Sequence, residues 1–209
     1  MRFCYLIGLC CAFPVLANET ETLKRLAQCR QTQSSLERLD CYDSAWQDST
    51  PHAIPAGQRS ASWLRATEQE KGRETHSTQF IIKESSVEDI PQVVLTTPAL
   101  GIAPPRPILM LSCIDNITRL QLILHRPLTG RELPVSIETD KSRFQSRWFS
   151  RDNGYILEAS RGLQGIREIQ QLFGATQMTI KLQSGEPRWT FNIQNIEQDI
   201  KSFRQACHW

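Results

Sequence analysis

The sequence predicts an α+β protein: an N-terminal helical hairpin stapled by a disulfide, a linker with a polar helix, then an antiparallel, β-sandwich-like domain with a C-terminal helix. Three observations predict it. The apolar period is helical in the N-terminal part and becomes two from about Thr78, in short runs bounded by turn residues. A stretch carrying Pro51, Pro55 and Gly57 separates the two regimes. Cysteines stand at both ends of the chain and inside one of the period-two runs. The boundaries that follow are a signal peptide at 1–17, a helical hairpin at 18–47, a linker and surface helix at 48–76, and a β-rich domain at 77–209.

The first segment, "MRFCYLIGLCCAFPVLA", has one cation at Arg2, an apolar run from Phe3 to Phe13, and Val15 and Ala17 spaced as a small-residue cleavage signal. It reads as a secretory signal peptide cleaved after Ala17. The run is shorter than the roughly 20 residues that span a bilayer, so no integral membrane span is expected. Lipid anchoring is not expected either, because Leu9 precedes Cys10 and Cys10 precedes Cys11 where a small residue is needed. The formal net charge of +2 is spread along 209 residues, which argues against nucleic acid or an anionic membrane surface as partner.

Cleavage leaves Cys29, Cys41, Cys113 and Cys207 in an oxidising compartment, where an even number of cysteines reads as disulfides. In "NETETLKRLAQC", Leu23, Leu26 and Ala27 share one helical face. Ser34 and Glu37 then have the form of a capping box, ahead of a stripe of Leu36, Leu39 and Trp46. Zinc would want closely paired ligands, and a redox dithiol would want C-x-x-C; the Cys29 to Cys41 spacing offers neither. Two short antiparallel helices can bring these cysteines together, and closing so small a loop is worth about 3 kcal/mol. By elimination Cys113 pairs with Cys207, tying the C-terminus to a strand. The two other connectivities would cross-link the hairpin to the β-domain over the linker and are less economical.

After "DSTPHAIPAGQRS", the polar segment "ASWLRATEQEKGRE" predicts a surface helix from about Ser62 to Arg73, a stalk or a docking element. Strands follow in "TQFIIKE", "QVVLTT", "PILMLSCI", "RLQLILHR", "LPVSIET", "RFQSRWFS" and "YILEA", and a closing hairpin flanks "SGEP". Two amphipathic helices complete the chain, one with a stripe of Leu163, Ile166, Ile169 and Leu172 or Phe173, the other with Ile196, Ile200, Phe203 and Cys207.

Chemistry-bearing motifs are thin. No G-x-S-x-G elbow, H-E-x-x-H, P-loop or G-x-G-x-x-G occurs, and His52, His76, His125 and His208 have no partner at ligand spacing. No catalytic residue, metal site or cofactor is expected, and the chain reads as a non-enzyme. A carboxylate pair assembled by the fold to hydrolyse a glycan is the enzymatic alternative. In "SRFQSRWFSRDNG", Trp148 and Phe149 lie among Arg143, Arg147 and Arg151. They are either half-buried strand aromatics or an interaction patch. The candidate partner-binding residues are Trp63, Arg147, Trp148 and Arg151, since Trp and Arg are favoured anchors.

Taken in order, "CRQTQSSLERLDCYD", "WLRATEQEKGR", "LMLSCIDN" and "WTFNIQNIEQDIKSFRQACHW" resemble the TagO/VasI proteins associated with bacterial type VI secretion. The resemblance covers nearly all of the mature chain. It rests on Cys29, Arg38, Leu39, Cys41, Tyr42 and Asp43; on Trp63, Arg65, Ala66, Glu70 and Arg73; on Cys113 and Asn116; on Trp148 and Ser150; and on Phe191, Cys207 and Trp209. The sequence departs at Asn195 and Ile196, where the family often has Gly-Leu; Asn195 then reads as an N-cap. The resemblance implies a periplasmic accessory protein without established catalytic residues, whose partners are secretion-system envelope components. A peptidoglycan-binding or remodelling factor and a stand-alone periplasmic binding module are the alternatives.

Overall fold

The computed structural model describes residues 17–32, 35, 37–39, 41–42, 59–183 and 185–209. The expected signal peptide up to residue 16, the linker from 48 to 58, and Ser34, Leu36 and Trp46 of the hairpin lie outside the described residues. The chain divides into two compact units, 1–58 and 59–209.

In the first unit, helix α1 (Ala17–Cys29) ends in a turn at 30–31, and helical backbone returns at 35, 37–39 and 41–42. Cys29 and Cys41 are joined by a disulfide with Cα atoms 5.6 Å apart. Cys29 is buried, whereas Leu23 and Leu39, assigned to apolar faces by their spacing, are 64% and 57% exposed. A unit this short has little surface to cover such residues, and the cross-link constrains what packing does not.

The second unit begins with helix α2 (Ala61–Lys71). Nine strands follow: β1 (Ile81–Val87), β2 (Ile90–Pro98), β3 (Ile108–Ile114), β4 (Ile117–Ile123), β5 (Glu132–Thr139), β6 (Arg143–Arg151), β7 (Ile156–Glu158), β8 (Gln177–Leu182) and β9 (Arg188–Asn192). Helix α3 (Leu163–Gln170) lies between β7 and β8, and α4 (Ile196–Asp199) and α5 (Lys201–Ala206) end the chain. The order in the one sheet is β1-β2-β3-β4-β7-β6-β5-β8-β9, with every neighbouring pair antiparallel.

Local sequence explains the hairpins. Asp115 and Asn116, between β3 and β4, have φ of +54° and +57°, and Glu88 and Asp89, between β1 and β2, have φ of +50° and +63°. Positive φ at both central residues makes a two-residue turn whose twist matches that of the strands. The short β7 joins the hairpins into one sheet, pairing Gln121–Ile123 of β4 on one side and Phe149–Arg151 of β6 on the other. The sheet then curls on itself. Just past β2, Ala99 bridges Phe191 of β9, and the Leu100 N–H donates to the Thr190 carbonyl at 2.7 Å. This closure is how a single sheet encloses a sandwich-like core.

The inner face carries Leu109, Leu111, Leu120, Leu122, Val135, Ile137, Met178, Ile180 and Phe191, packed with Ile169 of α3, Ile196 of α4 and Phe203 of α5. The outer face of β2, β3, β4 and β7 presents Val94, Ile108, Met110, Ile114, Ile123 and Ile156, which cluster with Ala66 and Trp63 of α2. The C-terminus is fastened twice at one rung of the sheet. Cys113 of β3 is disulfide-bonded to Cys207 with Cα atoms 5.8 Å apart, and the Trp209 indole N–H donates at 2.9 Å to Thr118, the register partner of Cys113. Asn195 does not cap α4 with its side chain; it sits at φ +66°. Glycine adopts that left-handed geometry without cost and asparagine tolerates it well, which accounts for Asn where the resembling family often has Gly.

A carboxyl group is buried at this core. Glu168 of α3 accepts from the Ser146 hydroxyl at 2.8 Å and from the Trp148 indole N–H at 3.0 Å. Burial pushes the Glu168 carboxyl above its ordinary value, while hydrogen bonds from Ser146, Trp148 and Gln164 pull the other way. Trp148 is 0% exposed, which corrects its assignment as a surface anchor. Strand alternation turns it inward, and its N–H needs an acceptor there.

Two outcomes are expected. Replacing Cys113 and Cys207 together by Ala opens a loop spanning 94 residues and should lower unfolding free energy by up to about 5 kcal/mol, read by urea titration of tryptophan fluorescence. Because the folded pKa of Glu168 is raised, its contribution to stability is complete below the unfolded value of about 4.3 and is lost as pH rises through the folded value. Glu168→Gln should remove that segment of the stability–pH curve, and an unchanged slope in paired denaturation curves would refute the assignment.

Candidate functional site

Helix α2 is mostly polar, yet it docks on the sheet. Its N-cap Ser60 accepts from the Trp63 amide, and the Trp63 indole N–H donates to the Leu124 carbonyl at 2.8 Å. Gln69 donates to the carbonyls of Ile81 and Val94 at 2.8 and 3.1 Å. Arg73, held by both oxygens of Glu70 at 2.6 and 2.7 Å, donates to the carbonyls of Gln79 and Thr96 at 2.7 and 3.0 Å. Side-chain donors thus meet backbone acceptors of the sheet where a hydrophobic stripe would otherwise be needed. Trp63 is spent on this docking, with its ring edge-on to His125 at 5.7 Å.

Beside the first turn of α2 lies a cleft of about 280 Å³, lined by Ser62 and Arg65 of α2, Arg119 and Gln121 of β4, Arg151 and Asp152 at the end of β6, Glu158 of β7, and Arg161. These positions continue the outer face: residues alternating with Leu120, Leu122 and Leu157 of the core point away from it. Glu158 is 2% exposed. One of its oxygens accepts from Arg161 at 2.6 Å and lies 3.9 Å from Arg151, and the other accepts from the Gln121 amide at 2.5 Å.

Asp152 is held in a turn where it has φ +49°, Asn153 has φ +52° and Gly154 φ +92°. A Cβ on Gly154 would stand 2.2 Å from the Leu128 carbonyl oxygen, so only glycine fits. The turn aims Asp152 at the Ser60 amide, which donates to it at 3.0 Å, and Arg59 lies 3.9 Å from its second oxygen. The Arg59 guanidinium also stacks 3.4 Å from the Tyr155 ring centroid.

Charge in the cleft is unbalanced. Glu158 answers Arg161 and Arg151, and Asp152 answers Arg59, which leaves Arg119 and Arg65 without an ion pair among the described residues. Arg119 donates to the Ile114 carbonyl at 3.3 Å. Its pKa is lowered, first by burial, then by the charge of Arg161, with Arg65 adding to the effect and Glu158 and Asp115 opposing it. The Gln121 Oε1 and Asp152 Oδ1 atoms are buried without a hydrogen-bond donor. The site therefore holds surplus guanidinium donors, and of its two acceptors without a hydrogen bond the Asp152 oxygen is the one that faces Arg59.

Of the four residues singled out in the sequence, only Arg151 lines this cleft. Arg147 is exposed on β6, 3.5 Å from Glu132, and Trp63 and Trp148 serve the fold. Sequence reasoning did not find Arg65, Arg119, Gln121, Glu158 or Arg161 as a site. The available signal was polarity out of place: Arg119 and Gln121 in a strand pairing with a mostly apolar neighbour, and Glu158 inside "YILEA".

Comparison with known proteins adds one finding. A family model described as "Type VI secretion system VasI, EvfG, VC_A0118" matches residues 28–209. No curated protein and no solved structure matches the chain. The matched span takes in both disulfides, the docked helix and the arginine cleft, and the chain belongs to the VasI family of type VI secretion system proteins.

Proposed function

We propose that the chain is a non-enzymatic accessory protein of a type VI secretion system, exported to the periplasm by a signal peptide cleaved after Ala17 and acting there through protein contacts. The observation that carries this reading is the composition of the cleft. Its charged groups are guanidiniums, which stay protonated at any physiological pH, and carboxylates already engaged by guanidiniums or by a backbone amide. Such groups recognise charge and hydrogen-bonding pattern; they do not exchange protons with a substrate. Family membership supplies the secretion system, and two disulfides suit an oxidising compartment.

Chemical cross-linking in the periplasm of the native host, followed by affinity recovery, should return components of the secretion-system envelope complex, and the mature N-terminus should be Asn18. Recovery of murein fragments with no secretion component would overturn the accessory role. Release of muropeptides when the mature protein is incubated with purified peptidoglycan would overturn the non-enzymatic one.

A further inference from the structure

We propose that the arginine cleft is a docking site for an acidic peptide segment of a protein partner, taking one side-chain carboxylate between Arg65 and Arg119. This rests on the reading above that the protein acts through protein contacts. Five observations converge on it.

Guanidinium outnumbers carboxylate inside the cleft, and the surplus is specific: Glu158 is engaged by Arg161 and Arg151, whereas Arg119 and Arg65 have no carboxylate of their own. A planar guanidinium matches a carboxylate by two parallel hydrogen bonds. The first-turn residues Ala61 and Ser62 line the same space, and first-turn amides of a helix lack intrahelical acceptors and favour a negative group.

Neighbouring carboxylates narrow the class further. Asp152 and Glu158 border the cleft, so a ligand group with one negative charge meets less repulsion than one with two. A side-chain carboxylate carries one charge, whereas a fully ionised phosphate carries two. An acidic peptide brings a carboxylate of that kind. At about 280 Å³ the cleft sits at the lower edge of the roughly 300–1,000 Å³ typical of ligand pockets, room for one or two residues of a chain that continues outside. Arg119 is lowered first by burial and then by the charge of Arg161, and a carboxylate arriving beside it would offset both.

The test uses the mature chain, residues 18–209, titrated calorimetrically with the capped peptide acetyl-Gly-Asp-Glu-Gly-amide and with its Asn-Gln counterpart. The acidic peptide should bind, weaken as salt is raised, and lose at least about tenfold in affinity in Arg65→Gln and again in Arg119→Gln. Arg65 forms no hydrogen bond to the rest of the fold among the described residues, so Arg65→Gln keeps the test valid should Arg119→Gln fail to fold. Arg147→Gln, outside the cleft, should bind as the parent does. No binding of the acidic peptide at millimolar concentration, equal binding of the amide counterpart, tighter binding of inorganic phosphate, or binding of soluble muropeptides in place of the peptide would each overturn the proposal.

The cross-linking experiment repeated with Arg65→Gln separates this proposal from the accessory role. If the variant recovers secretion components as fully as the parent, the cleft is not the docking site and the accessory role stands. If the parent recovers none, the accessory role itself falls.

Discussion

Strand β3 is buried from Ile108 to Ile114 on both faces, and that two-sided burial is the constraint to which the rest of the second unit answers. A strand with no polar face cannot end a layer; something apolar must cover each side. On the inner side Leu109, Leu111 and Cys113 meet the curled sheet and the C-terminal helices. On the outer side Ile108, Met110 and Ile114 meet Ala66 and Trp63 of α2. Each large apolar side chain taken out of water contributes about 1.5–3 kcal/mol, so losing either cover would outweigh the few kcal/mol by which a domain is stable. The covers come from opposite ends of the unit, which explains why the fold invests a disulfide in one and a set of helix-to-sheet hydrogen bonds in the other.

The same constraint produces the cleft. Helix α2 has only 11 residues and one fully buried side chain, Ala66, so it covers part of the outer face. Where its first turn stops, β4 and β7 still present outward positions, and these hold Arg119, Gln121 and Glu158. A sheet covered edge to edge would have apolar residues there. The polar residues mark where apolar cover ends: Gln121 and Glu158 are buried there by bonding to each other and to Arg161 instead of by packing against α2.

Period and turn chemistry made the strands legible. Leu120, Leu122 and Leu124 alternate as a strand must, and the hairpin ending in Trp189, Phe191 and Ile193 was readable from sequence for the same reason. Pairing order was not legible, because β7 joins two hairpins through three residues and nothing local names its partners. Helix α3 shows a second limit. Its expected stripe includes Leu163, which is 74% exposed, while Glu168 is buried. A Cβ on Gly165 would stand 2.0 Å from the Ser160 carbonyl oxygen, so the backbones approach closely there, and Glu168 reaches the Trp148 N–H twenty residues away in sequence. A lone Glu on an amphipathic helix reads as solvated until that N–H is in view. The arginine cleft was hidden for the same reason: each arginine by itself reads as a solvated charge, and only the fold brings Arg65, Arg119, Arg151 and Arg161 together.

The positions that carry the family resemblance divide by what their side chains do. Cys29 and Cys41, Cys113 and Cys207 close loops. Trp63, Glu70 and Arg73 dock α2, Trp148 satisfies Glu168, and Trp209 anchors the C-terminus on Thr118. Each of these is explained by stability. Arg65 is not: it makes no ion pair and no hydrogen bond among the described residues, and it stands in the repulsive field of Arg119. Its charge has no carboxylate at ion-pair distance among the described residues, and that is the ground on which the partner proposed for this cleft is an acidic one.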